Sequence, residues 1–307
     1  MTSESDQRGE PGESEQDREQ SLRRIERGSI PVIAERRLRR VAEGGTPFTS
    51  DLSVSEFALG HQVGLRPLCQ VMGSSVYQVG YQALPSNYFS GGFSQQQISQ
   101  ELPVLTHAWN DARGRAVNRL AEEARLAGAD AVVGVRVRRG EHDWAAGAIE
   151  YVVVGTAVRV PGARPERDPV ITDLSVQDYW KLTRAGVQPV GLLAATSVFF
   201  VVPSSGAQFS RMLTAARNQE YPEYTRGIYA ARELALTHIT TQAQMVGATG
   251  VVGVQIDQQI RAHELRARFS DASASGLLIT FHVLGTAIRD GDGRDLAPPE
   301  PVVRLGG

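Results

Sequence analysis

The chain has 307 residues, a formal net charge of −2 and a single cysteine, Cys69. The length is sufficient for two domains of ordinary size, and the near-neutral charge argues against nucleic acid as a partner, because that needs a broad basic surface. One cysteine excludes an intramolecular disulfide and a cysteine cage for a metal within one chain, and a reducing cytoplasm is the expected location.

The N-terminal region changes character within a few dozen residues. Residues 1–21 are rich in acids and lack large apolar residues after Met1, which predicts a disordered tail without a signal peptide. Residues 22–45 are rich in arginine and predict a basic amphipathic helix that begins near Pro31. This helix either docks on the first domain or contacts a protein partner or a membrane surface. Its candidate contact residues are Arg36, Arg37, Arg39 and Arg40.

The rest of the chain contains a tandem repeat. Three segments of the first half return in the same order in the second half, namely residues 51–54, 128–135 and 155–158 as residues 173–176, 247–254 and 285–288. The repeat predicts two homologous domains, residues 46–161 and 169–290, separated by a linker at 162–168 and followed by a Pro-rich tail at 291–307. The longest apolar stretch, residues 190–202, is shorter than the roughly 20 residues that a membrane-spanning helix requires.

Each copy is predicted to fold as strand, irregular segment, helix, strand and strand. In the first copy these elements are expected at residues 65–78, 82–105, 106–127, 131–138 and 148–160. Apolar residues at three- and four-residue spacing indicate the helix, and apolar residues at alternate positions indicate the strands. The fold class is therefore α+β, with a small antiparallel sheet and one main helix in each copy.

The repeated segment Asp-Leu-Ser-Val is interpreted as a helix start. Ser53 precedes Glu56 by three residues, and Ser175 precedes Asp178 by the same spacing. That spacing is typical of a capping box, in which the two side chains satisfy free backbone N–H groups. Gly128 and Gly247 follow the main helices at the position where a left-handed residue commonly ends a helix.

The last strand of each copy is apolar on both faces, whereas one helix covers only one face. The second face must be buried against the sister repeat or another chain, which predicts a homo-oligomer. The candidate interface residues are Tyr151, Val153, Phe281 and Val283.

No recognisable set of catalytic residues is present, and neither an enzymatic activity nor a cofactor is predicted. The six histidines do not form a pattern that places two imidazoles on one metal, which leaves His263, Glu264 and His282 as weak metal candidates. His282 lies within an apolar strand and is expected to be a hydrogen-bonded core residue. Tyr88, Phe89 and Phe93 lie in a Ser- and Gln-rich loop and either form a contact surface or pack into the core.

The stretch from residue 120 to 135, together with Gly-Thr-Ala-Val at residues 155–158, resembles the YbjQ family, also called UPF0145, whose domain carries a heavy-metal-binding label. The resemblance extends over both copies, about residues 48–290. It implies a β-α-β-β unit with a dodecin-like fold and assembly into pentameric rings in which added short strands join neighbours. The label implies thiol or imidazole ligands, and the residues of this chain do not supply an evident set.

The sequence therefore predicts a cytoplasmic, non-enzymatic homo-oligomer that acts as a structural or scaffolding module, and the resemblance implies that this oligomer is a pentameric ring. The alternative is a sensor or carrier that binds a metal ion or small ligand at the interfaces between repeats.

Overall fold

The computed structural model describes residues 14–44, 47–82, 98–142, 147–163, 168–203, 218, 220–266 and 273–291. The helices in this part of the chain are α1 (Glu15–Glu26), α2 (Val32–Ala42), α3 (Val54–Val63), α4 (Pro103–Leu126), α5 (Val176–Arg184) and α6 (Pro222–Met245). The strands are β1 (Arg66–Gln78), β2 (Ile98–Glu101), β3 (Ala131–His142), β4 (Ala148–Arg159), β5 (Val170–Ile171), β6 (Val187–Val202), β7 (Gly250–Arg266) and β8 (Ser273–Asp290). None of the described helices is long and apolar enough to span a bilayer.

The main elements follow the predicted order in both copies, which confirms the α+β class and the tandem arrangement. Helix α4 begins three residues before the predicted start and ends at Leu126, and α6 is its counterpart in the second copy. Gly128 and Gly247 adopt left-handed φ angles of 70° and 64° just beyond these helices. The predicted helix ends are therefore confirmed.

The predicted capping box is complete at the start of α3, and at the start of α5 its serine half is present. The Ser53 side chain accepts a hydrogen bond from the Glu56 N–H at 3.2 Å, and the Glu56 carboxylate accepts one from the Ser53 N–H at 2.8 Å. In the second copy the Ser175 hydroxyl accepts from the Asp178 N–H at 3.1 Å. Helices α3 and α5 thus begin at equivalent positions of the two copies.

The described residues form two sheets, and each contains a short strand from the other repeat. The strand order is β1-β4-β3-β5 in the first sheet and β2-β6-β8-β7 in the second. Strand β5 belongs to the second copy but pairs in parallel with β3, and β2 belongs to the first copy but pairs antiparallel with β6. The repeats are therefore joined by an exchange of strands as well as by side-chain packing.

A β-bulge in β3 makes one half of this exchange possible. Gly134 has a φ of 63°, a left-handed conformation that glycine adopts without steric cost. The bulge turns the N–H groups of Gly134 and Val135 out of the β3–β4 ladder, and they donate to the carbonyl oxygens of Leu174 at 2.8 Å and Thr172 at 3.1 Å. Gly253 in β7 repeats the bulge with a φ of 65°.

Helix α4 packs between the two repeats. On one side it lies so close to β1 that a Cβ atom at Gly73 would be 1.9 Å from the Ala116 carbonyl oxygen. The core around this helix also contains residues of the second sheet, among them Phe200 and Leu278. The first repeat therefore covers the second face of β8 and of its neighbour β6. For that face the sequence predicted burial against either the sister repeat or another chain, and the sister repeat is the partner.

Helices α1 and α2 form an arm that docks on the first repeat. The sequence predicted disorder through residue 21, but α1 begins at Glu15, because Ser14 caps it and Arg36 of α2 forms two bonds to the Asp17 carboxylate at 2.6 and 2.8 Å. Arg37 donates to Glu123 of α4 at 2.7 Å and to the Gln70 carbonyl oxygen at 3.1 Å. The docking role predicted for the basic helix is thus carried by Arg37.

Replacing Arg37 with alanine is expected to lower the free energy of unfolding by about 1–3 kcal/mol, because it leaves the buried Glu123 carboxylate with little more than the Met72 N–H as a partner. Urea denaturation measures the change. The matched control is Arg40→Ala, in which an exposed arginine of the same helix is removed and the change should stay within about 0.5 kcal/mol. Equal effects of the two substitutions would contradict the assigned docking contact.

Candidate functional site

A cavity of about 420 Å³ lies between the two repeats and gathers buried polar groups from both. The first repeat contributes Arg113 of α4, the β3 residues 135–139 and Tyr151 of β4, and the second contributes Thr196, the β7 residues 255–257 and His282. A larger cleft of about 660 Å³ between α2, α3 and β1 is lined mainly by apolar side chains. The inter-repeat cavity therefore has the greater potential for specific chemistry.

His282 is the most constrained residue of the cavity. It is 6% exposed, and its ring lies edge-on to Trp109 with 5.1 Å between centroids. Its Nδ1 atom lies 3.0 Å from the Thr196 hydroxyl and 3.5 Å from the Tyr151 hydroxyl. Its Nε2 atom is buried and has no hydrogen-bond partner among the described residues. The predicted core histidine is thus satisfied at one nitrogen only.

The surroundings of His282 keep its ring neutral. Burial, together with the positive charges of Arg139 and Arg113, lowers the pKa of His282 to about 3. Arg113 donates to the Thr196 hydroxyl at 3.1 Å, so the hydroxyl proton of Thr196 is free to be donated to His282 Nδ1. In that arrangement the ring proton is on Nε2, and the unpartnered atom is a donor.

Arg113 is held by neutral acceptors. Besides Thr196, it donates to the Asn110 side-chain oxygen and the Ala194 carbonyl oxygen, both at 2.7 Å. No carboxylate within the described residues forms an ion pair with it. Burial lowers the pKa of its guanidinium and raises the pKa of the neighbouring Tyr151 phenol. A positive charge without a carboxylate partner therefore lies at the inner wall of the cavity.

A second arginine reaches the cavity from β3. Arg139 forms an ion pair with Asp257 of β7, but its Nε atom is buried and lacks a hydrogen-bond partner in the part of the chain that the structure describes. Two residues that line the cavity, one from each repeat, thus carry a buried nitrogen without a hydrogen-bond partner among the described residues, Arg139 Nε and His282 Nε2.

Sequence reasoning missed the aspartate that opens each Asp-Leu-Ser-Val segment. Asp173 lines the cavity and accepts hydrogen bonds from Thr286 and Gln255, and burial raises the pKa of its carboxyl. In the first copy Asp51 forms an ion pair with Arg136 at 2.8 Å. The signal was the repetition of this residue, which the capping interpretation left unexplained.

The weak metal candidates are not brought together. His263 pairs in register with Gly276, whereas His282 lies six positions further along β8, roughly 20 Å at about 3.3 Å per residue. Glu264 is exposed, and His263 lies edge-on to Phe200. The described residues contain no cluster of three or more metal-ligating side chains. At His282 the positive charges of Arg139 and Arg113 lower the pKa of the ring, and the cross-strand carboxylate of Asp257 is paired with Arg139, an arrangement that does not fit a metal cation.

The four candidate interface residues lie inside the chain. Tyr151 and Val153 pack in the core around α4, and Phe281 and Val283 pack beneath α6. They are covered without a second chain, because the faces of β4 and β8 on which they lie are those that α4 and α6 cover. Surfaces available to another chain must lie elsewhere.

The partner-contact candidates are placed only in part. Arg36 and Arg37 contact Asp17 and Glu123, Arg39 pairs with Glu35, and Arg40 is exposed. Tyr88, Phe89 and Phe93 fall outside the described residues.

The comparisons with known proteins identify relatives of both copies. The family model described as "Putative heavy-metal-binding" matches residues 90–161 and 196–289. The chain is similar to an encapsulin nanocompartment protein of Mycobacterium tuberculosis, with 38% identity over 257 residues, 82% of this chain and 89% of the relative. It is also similar to UPF0145 proteins of Archaeoglobus fulgidus, 43% identical over 63 residues (20% of this chain, 56% of the relative), and Thermus thermophilus, 45% identical over 67 residues (22% and 57%). No solved structure matches the chain significantly.

The depressed pKa of His282 predicts acid sensitivity. Below the unfolded pKa of about 6.5, the unfolded chain binds a proton at His282 that the folded chain excludes until about pH 3. Stability from this residue is therefore complete above pH 6.5 and is lost as the pH falls, by about 3 kcal/mol at pH 4.5.

Urea denaturation at pH 7 and pH 4.5 checks this expectation. His282→Gln should show a smaller loss of unfolding free energy on acidification than the unsubstituted chain, by about 3 kcal/mol. His107→Gln, at an exposed position of α4, should leave the loss unchanged. Identical acid dependence of the His282 variant and the unsubstituted chain would contradict the assigned environment.

Proposed function

The chain belongs to the YbjQ family, and from this premise we propose that it is a non-enzymatic subunit that associates head to tail with copies of itself as a structural or scaffolding component. The similarity to a protein named for an encapsulin nanocompartment supports a setting in or around a protein shell. The proposal rests on the bulged edge strand of each repeat. In the first repeat this strand, β3, is paired with a segment of the second repeat, whereas the equivalent strand of the second repeat, β7, is open.

The open surface is the edge of β7. The bulge at Gly253 turns the N–H groups of Gly253 and Val254 away from β8, and neither has a partner among the described residues. Val254 is 43% exposed, and Ile256 and Ile260 are exposed to the same degree. An edge strand with unpaired N–H groups and apolar side chains is a template for pairing with another chain.

The first repeat indicates which segment of a second chain would fit the open edge of β7. There the N–H groups of the equivalent bulge donate to Thr172 and Leu174, which lie between β5 and α5 of the second repeat, and the equivalent valine, Val135, is buried. The counterpart of β5 and α5 in the first repeat is the segment formed by residues 47–63, which includes α3. A second copy of the chain therefore offers the segment that fits the open edge.

The exposure of α3 agrees with this pairing. Val54, the first residue of α3, is 87% exposed, whereas its counterpart Val176 is 1% exposed in contact with the first repeat. Phe57 of α3 stacks on Phe48, which precedes the helix, and both are also exposed. Both halves of the proposed contact are thus apolar and uncovered within one chain.

Such a contact is heterologous, because the second repeat of one chain binds the first repeat of the next. Heterologous contacts form a closed ring when the rotation between successive copies closes, and otherwise form an open filament. We propose closure into a ring of five chains, hence ten repeats, in the cytoplasm. The number five rests on the family resemblance, and the head-to-tail direction rests on the open β7 edge.

The test blocks each half of the contact separately. Val54→Glu and Val254→Glu each place a charge where an apolar interface would form, and each should weaken self-association by at least tenfold. Neither should change the stability of the single chain, because both residues are exposed within it. The matched control is Met245→Glu at another exposed apolar position, which should assemble normally.

Light scattering of the mixed variants distinguishes the direction of assembly. Each variant alone should be monomeric, and an equimolar mixture of the two should form dimers and nothing larger, because one intact half remains on each chain. Dimers formed by either variant alone, or a monomeric unsubstituted chain at micromolar concentration, would contradict the proposal.

A further inference from the structure

Guanidinium groups outnumber carboxylates in the lining of the inter-repeat cavity, since positions 113, 136, 138 and 139 are arginines and the acids are Asp173 and Asp257. Arg113 and Arg139 both lie close enough to His282 and Tyr151 to shift the pKa values of these groups. Arg139 is paired with Asp257, but Arg113 has no carboxylate partner among the described residues. A buried guanidinium bonded only to neutral acceptors leaves a positive field that a bound anion would neutralise.

The unpartnered atoms of the cavity are donors. Arg139 Nε always carries a proton, and His282 Nε2 carries one when Nδ1 accepts from Thr196. A buried donor without an acceptor destabilises the structure, and two residues that line the cavity each carry one. The Tyr151 hydroxyl supplies a further donor at the same wall. An acceptor-rich ligand satisfies these groups, whereas a metal cation would oppose them.

The two repeats differ at these positions. Helix α4 aligns with α6 without a gap, so the counterpart of Arg113 is Arg232, which is partly exposed and paired with Glu233. The counterparts of Tyr151 and His282 are Phe281 and Val152, which lack a hydroxyl and an imidazole. The group formed by Arg113, Tyr151 and His282 therefore occurs once per chain, between the two repeats, although both repeats share the same fold.

We propose that the inter-repeat cavity binds one small oxyanion per chain, a phosphate or a carboxylate group. Arg113 provides the neutralising charge at the inner wall, and the N–H groups of Arg139 and His282 and the Tyr151 hydroxyl donate to the anion oxygens. A volume of about 420 Å³ accommodates the anionic group together with a small substituent or water. Because the site joins the two repeats, the bound anion also ties them together.

Isothermal titration of the full-length chain with inorganic phosphate and, separately, with sodium acetate in low-salt chloride buffer tests the site and distinguishes the two anion classes. We expect one equivalent of at least one anion to bind per chain. Tyr151→Phe and His282→Val introduce the residues of the sister copy and should each weaken binding by at least fivefold. Arg113→Lys should weaken it by at least tenfold, because lysine lacks the fork of N–H groups.

The matched control is Arg232→Lys, which changes the same residue type at the equivalent position of the second repeat and should leave binding unchanged. Thermal melting establishes that each variant is folded, and Tyr151→Phe remains informative if Arg113→Lys does not fold. The proposal is overturned if neither anion binds the unsubstituted chain at millimolar concentration. It is also overturned if both sister-copy substitutions leave binding intact, or if zinc binds and is lost with His282→Val.

Discussion

At residues 134 and 135 the backbone of β3 bulges away from its sheet and directs two N–H groups at carbonyl oxygens of the second repeat. Glycine at position 134 permits this geometry, because the bulge requires a left-handed residue. The two repeats are consequently parts of one sheet system. The same bulge at Gly253 of β7 has no partner within the described chain, which makes one interface complete and the other open.

Helix α4 forms the second connection between the two repeats. Its N-terminal turns satisfy the edge of β6, with Thr106 accepting from the Val198 N–H at 3.1 Å and Asn110 bonding both backbone groups of Thr196. Arg113 continues this line and reaches the cavity. The helix that packs on the first sheet therefore also completes the second, and the polar residues needed for that role lead directly to the proposed anion site.

Local signals in the sequence were sufficient for much of the fold. Capping at Ser53 and Ser175, the glycines after α4 and α6 and the alternation of apolar residues each act within a few residues. The short strands β2 and β5 could not be predicted, because they have no periodicity of their own and their partners are distant in the chain. His282 was expected to need one partner, but Arg113 and Tyr151 come from the other repeat and only the fold brings them near it.

Amide hydrogen exchange at Val254, compared with Val135, tests the central claim most directly. The Val135 N–H is bonded within the chain and should be protected at every protein concentration. The Val254 N–H should exchange rapidly in dilute solution and become protected as the concentration rises, because a second copy would occupy the open edge of β7. Rapid exchange at Val254 at all concentrations, including those at which larger particles form, would contradict an assembly that repeats the internal interface.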